Sequence, residues 1–396
     1  MISNKMKSFV QTSSVIRAMF EEGKKMAKLY GEENVYDFSL GNPSVEPPKA
    51  VKATIERILY KESPNLVHGY MNNSGYEDVR EKIALSLNER FSTEFSYKNI
   101  IMTVGAAGGL NVVFKTLLNP KDEVVVFAPF FGEYKNYVEN FDGILKVVPP
   151  NFPSFQPNFL EFEKQLNEKT KAVIINTPNN PTGVVYSKET LLKLAEVLEK
   201  KQKEFGTSIY LISDEPYREL VYDDIEVPYV TKYYRNTIIG YSFSKSLSLP
   251  GERIGYLVLP DELDDAEEIL SAVNVATRIL GFVNAPSLMQ RVVAECLNEK
   301  VPIEGYDKNR QMLYGALSSY GYECIKPQGA FYLFIKTFEP DDLAFVEHAK
   351  KHHLLLVPGS SFHCSGYVRT AYCVDPKMIK RSLPAFLKLA KEYGIY

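Results

Sequence analysis

Thr237-Ile238-Ile239-Gly240-Tyr241-Ser242-Phe243-Ser244-Lys245 is an apolar run that ends in two hydroxyls and an amine. Residues 237–242 read as a short buried strand, which has no use for a lysine at its end. Ser242 and Ser244 stand three and one residues before Lys245, and Arg253 stands eight residues after it. Together they offer one anionic ligand two hydroxyls, an ammonium and a guanidinium. A lysine held beside a bound phosphate suggests Schiff-base chemistry. The plainer alternative is a lysine that covers a surface.

The chain has 396 residues and a formal net charge of −3. Such a length suggests about two or three domains. The charge gives no reason to expect nucleic acid or an anionic membrane surface as partner. No apolar run approaches the roughly 20 residues that span a bilayer. The first six residues lack the apolar core of a secretion signal, so a cytoplasmic chain is expected. Cys296, Cys324, Cys364 and Cys373 fit no zinc spacing and read as reduced core thiols. The adjacent pair His352-His353 would point its rings about 100° apart on a helix, and no metal site is expected from it.

Around the opening stretch, strands and helices alternate. Segments 99–103, 123–127, 171–175, 208–212, 237–242 and 254–258 are apolar without a polar alternation. Helical patterns occupy 110–118 and 188–205. Such strands, separated by helices, imply an α/β fold with a mostly parallel sheet covered on both faces. Ligands bind at the carboxyl ends of strands in such sheets. Beyond residue 290 the pattern changes to helices at 288–297, 307–320 and 376–393, with strands at 331–335 and 367–372. This reads as a smaller α+β domain with which residues 1–48 pack. Residues 149–159 read as an irregular surface connection.

Five further elements fall at strand ends. Gly105-Ala106-Ala107-Gly108-Gly109 is either a tight turn or a helix start whose N–H groups approach a phosphate; it lacks both the Walker and the dinucleotide spacing. Phe131, in Pro129-Phe130-Phe131, either stacks on a planar ring or fills the core. Asn176-Thr177-Pro178-Asn179-Asn180-Pro181-Thr182-Gly183 fixes the Asn180 amide more rigidly than a plain turn needs. Asp214 follows four apolar residues, where a carboxylate is costly unless it meets a positive partner or caps a helix. Tyr217 lies three residues on, on the same side of a helical turn. Arg369, in Tyr367-Val368-Arg369-Thr370-Ala371-Tyr372, needs an anion, either a bound carboxylate or an internal ion pair.

In this order and at these places, the elements resemble the fold-type I pyridoxal-phosphate enzymes, and within them the class I/II aminotransferases. The likeness runs from Ser13-Ser14-Val15-Ile16-Arg17 to the C-terminal helix. The family pattern N-x-P-x-N-P-T-G is met by Asn176, Pro178, Asn180, Pro181, Thr182 and Gly183. The pattern S-x-S-K with an arginine eight residues on is met by Ser242, Ser244, Lys245 and Arg253. Asp214 and Tyr217 meet D-x-x-Y. Pro327-Gln328-Gly329-Ala330-Phe331-Tyr332 looks like the strand that opens the small domain. Gly41, in Leu40-Gly41-Asn42-Pro43, matches the N-terminal substrate loop. Tyr70 matches the tyrosine that reaches the phosphate of the neighbouring subunit.

The resemblance implies a large pyridoxal-phosphate-binding domain over 49–290, a small domain over 291–396, and an N-terminal segment, 1–48, packed with the latter. It implies pyridoxal 5'-phosphate as cofactor and a homodimer with shared active sites. Lys245, Asp214 and Tyr217 would be catalytic. Ala106, Ala107, Phe131, Asn180, Ser242, Ser244, Arg253 and Tyr70 would join them around the cofactor, and Gly41, Asn180 and Arg369 would hold the substrate. The reaction implied moves an amino group from an L-amino acid to a 2-oxo acid by a ping-pong mechanism through Lys245. A C–S lyase or another fold-type I lyase is the alternative. Ala106 and Ala107 stand where family members often carry hydroxyls or lysine, which leaves the backbone N–H groups as donors. Arg278 lies near the region for an acidic side chain but off the spacing, so an aspartate preference does not follow.

Overall fold

The computed structural model describes residues 2–11 and 15–396, so Ser13 and Ser14 of the N-terminal match lie outside the described residues. Twelve strands occur in the described residues: β1 Tyr36–Asp37, β2 Ile100–Thr103, β3 Glu123–Phe127, β4 Ile144–Val148, β5 Thr170–Asn176, β6 Tyr210–Asp214, β7 Thr237–Ser242, β8 Gly255–Val258, β9 Tyr332–Lys336, β10 Leu354–Leu355, β11 Val357–Pro358 and β12 Tyr367–Ala371. Seven of them form one sheet in the order β2-β8-β7-β6-β5-β3-β4. The pairs β4·β3, β3·β5, β5·β6 and β6·β7 are parallel.

The sheet is apolar on both faces, which explains the missing alternation. On β3, Val125 and Phe127 pack into one core and Val124 and Val126 into another. Val173 and Ile175 of β5 likewise face away from Ala172 and Ile174. Leu110, Val113 and Leu117 of one helix and Val273 and Ala276 of another cover one face. Leu191, Leu194 and Leu198 cover the other, together with Ile83 and Val292. The helix Lys188–Phe205 has the limits its sequence dictates. Ser187 caps its first turn through Thr190 N–H, and Gly206 ends it in the left-handed conformation at φ 67°.

Three features depart from the sequence reading. Strand β4 was not expected, because this sheet-edge strand is mostly half-buried and carries Lys146 in its middle. Strand β8 runs antiparallel to β7 and β2. Only a four-residue helix and a short 3-10 turn separate β7 from β8, too little for a parallel crossover. The helix expected from residue 110 begins at Gly105, so the glycine-rich segment is its first turn and not a loop before it.

Strands β11, β12 and β9 form a second, antiparallel sheet, in which Arg369 sits opposite Val357 and Phe334. A two-stranded parallel pair joins β1 to β10. Phe38 and Met19 enter one core with Leu313, Phe331, Leu333 and Phe386, so both chain ends meet in this layer. Residues 149–158 contain no helix or strand. Their Phe152 and Phe155 pack on Tyr367 and fasten this connection to the second sheet. Among the described residues, no helix is long and apolar enough to cross a membrane.

Candidate active site

The carboxyl ends of β5, β6 and β7 lie side by side, with Asn176 opposite Asp214 and Asp214 opposite Gly240. They open into a pocket of about 290 Å³. Its walls contain every expected site residue except Tyr70. Tyr70 is 92% exposed and does not line this pocket. Arg278, in the last turn of helix Ala266–Ile279, is exposed and also outside it.

Lys245 belongs to the four-residue helix Phe243–Ser246 that follows β7 directly. Its Nζ donates to Gly41 O at 2.8 Å and lies 5.2 Å from the Phe331 ring centre. Desolvation, with Arg369 and Arg253 adding repulsion, brings its pKa down to about 8. At pH 7 that leaves roughly a tenth of the amine neutral, several hundred times the fraction at its ordinary value, and the neutral amine is the form that a nucleophile or general base uses. Gly41 has to be a glycine, because a Cβ there would overlap the Tyr332 hydroxyl.

Asp214 ends β6. Its Oδ2 accepts from Tyr134 Oη at 2.6 Å, whereas its buried Oδ1 has no hydrogen-bond partner among the described residues. Burial is the main cause that raises its pKa to about 7; Glu215 adds to it and the Tyr134 hydrogen bond opposes it. Asn176 Nδ2 donates to Asp214 O at 2.8 Å, and Asn176 Oδ1 accepts from Asn180 N–H at 2.8 Å. The NPTG segment is thereby tied to the end of the next strand. Tyr217 shares a 2.9 Å hydrogen bond with Tyr332, hydroxyl to hydroxyl.

Arg369 is 2% exposed. It donates to Ser39 O at 2.6 Å and Asn180 Oδ1 at 3.1 Å, and its Nε has no partner. Its guanidinium lies 4.4 Å from the centre of the Tyr332 ring and 4.9 Å from that of Phe362. Two cation–π contacts give about 1–4 kcal/mol together, while removing a cation from water costs several kcal/mol. The balance calls for an anion, and no carboxylate among the described residues pairs with Arg369.

At the other end of the pocket, Arg253 lies over Gly105, where a Cβ would stand 2.6 Å from Nη2. Gly105 has φ +68°, a second reason for glycine there. The helix it starts has no side-chain cap, so the Ala106 and Ala107 N–H groups are open donors beside Arg253. Ser242 Oγ donates to Ser244 Oγ at 2.7 Å in the same corner. Two hydroxyls, a guanidinium and a helix N-terminus make an anion cradle of phosphate type. Phe131 meets Tyr134 edge-on at 5.7 Å and forms an apolar wall.

A larger cavity of about 550 Å³ lies elsewhere, lined by Arg90, Arg218 and Glu219. Its arginines are already neutralised, Arg90 by Glu219 at 2.6 Å and Arg218 by Glu215 at 2.5 Å. Arg253 and Arg369 have no such partners among the described residues, so the unpaired arginines lie in the smaller pocket. Sequence reasoning missed Tyr134 and Tyr332, and gave Asn176 a place in a motif without a role. Tyr134 follows Phe131 by three residues at a helix start, the spacing that puts both on one face.

Residues 33–386 match the model of the family described as Aminotransferase class I and II. The aspartate aminotransferase of Thermotoga maritima is 31% identical over 374 residues, which cover 93% of this chain and 95% of that protein. A probable aspartate/prephenate aminotransferase of Thermus aquaticus is 31% identical over 87% of this chain and 89% of its own length. The crystal structure of an aminotransferase from Eubacterium rectale superposes with a TM-score of 0.97 at 48% identity, covering 99% of both chains. The chain therefore belongs to the class I and II aminotransferases, a family of pyridoxal-phosphate-dependent transferases.

Proposed function

We propose that this chain holds pyridoxal 5'-phosphate in the 290 Å³ pocket and moves an amino group from an L-amino acid to a 2-oxo acid in two half-reactions. One observation carries the reading: Lys245, Asp214, Arg253 and Arg369 line one pocket and lack opposite charged partners among the described residues. Arg253, Ser242, Ser244 and the Ala106 and Ala107 N–H groups suit a phosphate. The partnerless Asp214 Oδ1 suits a protonated ring nitrogen. Asn180 and Tyr217 stand to serve a phenolic oxygen, and Phe131 offers a face for the ring.

When bound, the cofactor supplies an aldehyde for an amine and a ring that accepts electrons from the substrate's Cα. The chain's residues do the rest. Arg369 captures the substrate α-carboxylate through two N–H groups, which fixes Cα. Lys245, with its lowered pKa, takes the proton from the substrate Cα and would deliver it, on the same side of the pocket, to the former aldehyde carbon of the cofactor and not back to Cα. Asp214, ionised beside a positive partner, keeps the ring nitrogen protonated. Tyr332 and Leu40 line the same pocket.

We extend the proposal to the assembly and the division of the chain. Leu59, Tyr60, Leu66 and Tyr70 are exposed within twelve residues, an apolar patch suited to cover by a second copy. A homodimer would bury it and bring the partner's Tyr70 to the phosphate corner. Residues 49–290 would form the cofactor unit, and 291–396 with 1–48 the unit that carries Arg369.

The test is a half-reaction screen on the purified holoenzyme. Each amino acid is added without a 2-oxo acid, and the visible absorbance of the bound cofactor is followed. Loss of that absorbance, with one equivalent of 2-oxo acid and no free ammonia, is expected. Continuous release of ammonia without an acceptor would assign a lyase instead. Arg369→Ala is expected to raise KM about 100-fold for every α-amino acid, the size of a lost buried charge contact. A rise confined to one substrate would show that Arg369 reads a side chain.

A further inference from the structure

Outside the pocket, two histidines and a glutamate meet at the far end of the C-terminal helix. His348 lies in the last turn of helix Asp342–Lys350, and His352 follows four residues later in the turn beyond it. Glu392 is the last residue of helix Pro376–Glu392. Both imidazoles place Nε2 2.8 Å from the same atom, Glu392 Oε2. Each of the three side chains offers one ligand atom, and these atoms lie within 4.8 Å of one another. His353 is not part of the cluster: its Nδ1 meets Asn34 O at 2.8 Å, and its ring stacks on Tyr30.

The hydrogen bonds behind His348 give the argument its direction. Tyr393 Oη donates its one hydrogen to Glu339 Oε1, so toward His348 Nδ1, 3.2 Å away, it is an acceptor. Nδ1 of His348 therefore carries a hydrogen. In a neutral ring Nε2 then presents a lone pair, and it faces a carboxylate oxygen. Two acceptors at 2.8 Å repel unless a proton or another cation lies between them. A chain of carboxylate, hydroxyl and imidazole is also the outer arrangement that orients a metal-bound histidine.

We propose that His348, His352 and Glu392 bind one divalent cation of borderline softness, with Zn²⁺ the best match, and that the ion fastens the C-terminal helix to helix Asp342–Lys350. Two imidazoles and one carboxylate are a ligand set for zinc, with a fourth position left to water. Zinc bonds of about 2.0–2.1 Å in a tetrahedron separate ligand atoms by about 3.3 Å. Each 2.8 Å contact has to open by about half an ångström, a side-chain adjustment. The side chains of His348 and Glu392 are 29% and 36% exposed, which leaves the ion a way in. The sequence reading weighed only the adjacent pair His352-His353. It missed the pair four residues apart because the second histidine lies just past the helix end.

The test is calorimetric titration of Zn²⁺ into chelator-treated holoenzyme near neutral pH. One equivalent per chain is expected, together with a rise in Tm. His352→Gln and Glu392→Gln are each expected to weaken binding at least about 100-fold, and Tyr393→Phe about tenfold or more through the outer shell. Turnover without zinc is expected to be the same in all three variants as in the wild type, which also shows that they fold. Absence of a saturable site would overturn the proposal and leave an imidazolium–carboxylate cluster. Equal binding by wild type and His352→Gln would overturn it too, by assigning the ion to the cofactor pocket.

Discussion

Lys245→Ala is expected to reduce turnover by about 10⁴-fold or more, since it removes both the amine that joins the cofactor and the group that moves the Cα proton. Cofactor retention is expected to fall far less, because Ser242, Ser244, Arg253 and the helix N-terminus at Gly105 remain. Equilibrium dialysis of the cofactor beside single-turnover kinetics separates the two effects. Normal transamination by the variant would refute the role of Lys245. Misfolding is a poor explanation for the loss, and the pKa shows why. Burial lowers the Lys245 pKa from 10.5 to about 8. Between those values the unfolded chain binds more protons than the folded one, so stability rises with pH there. The cost of the buried ammonium is thus fully present below about pH 8, and alanine removes it. The cofactor-free variant should melt no lower than wild type at pH 7. If Tyr70 completes the neighbouring site, a mixed dimer of Lys245→Ala and Tyr70→Ala chains recovers turnover that neither homodimer has.

The positions of these charged groups were legible because the fold makes them conspicuous. Asn180 was legible from the two prolines that fix its turn, and Lys245 and Asp214 stand at or just past the ends of buried, largely apolar strands, where a charged group stands out against its run. Arg369 stood out for the same reason within β12. Tyr134 did not, because a tyrosine near Phe130 and Phe131 looks like core, and only its hydroxyl, 2.6 Å from Asp214, says otherwise. Strand direction was also hidden. The residues of β8 are as apolar as those of β7, and an apolar run carries no sign of which way the chain travels. The start of helix Gly105–Leu117 was misplaced because three glycines among its first five residues argue against a helix on propensity alone. Packing overrides that cost: Cβ atoms at Gly105, Gly108 and Gly109 would crowd Arg253, Val104 and Leu257.

Asp214→Asn is expected to separate stability from catalysis. The carboxyl's pKa is raised from 3.8 to about 7, mainly by burial. Between those values the folded chain binds a proton that the unfolded chain does not, so stability falls as pH rises through that window. Above about pH 7 the cofactor-free protein bears the whole cost of the ionised form, up to about 4 kcal/mol. Asparagine removes that charge and keeps a carbonyl oxygen for the Tyr134 hydroxyl. The cofactor-free variant should therefore melt higher than wild type at pH 8, and about equally at pH 4, where the carboxyl is close to fully protonated in the folded protein. A pH-independent difference would mean that Asp214 is not the titrating group. Turnover should move the other way, because a neutral amide cannot hold a proton on a ring nitrogen. A loss of about 10³-fold in kcat is expected, equivalent to about 4 kcal/mol of transition-state stabilisation. Cofactor affinity should change by about tenfold at most, since the phosphate corner supplies most of the binding. Equal losses in rate and affinity would make Asp214 an anchor and not an electronic control. A rate loss paired with a gain in cofactor-free stability would identify the partnerless Asp214 Oδ1 as a cost the fold carries for the reaction.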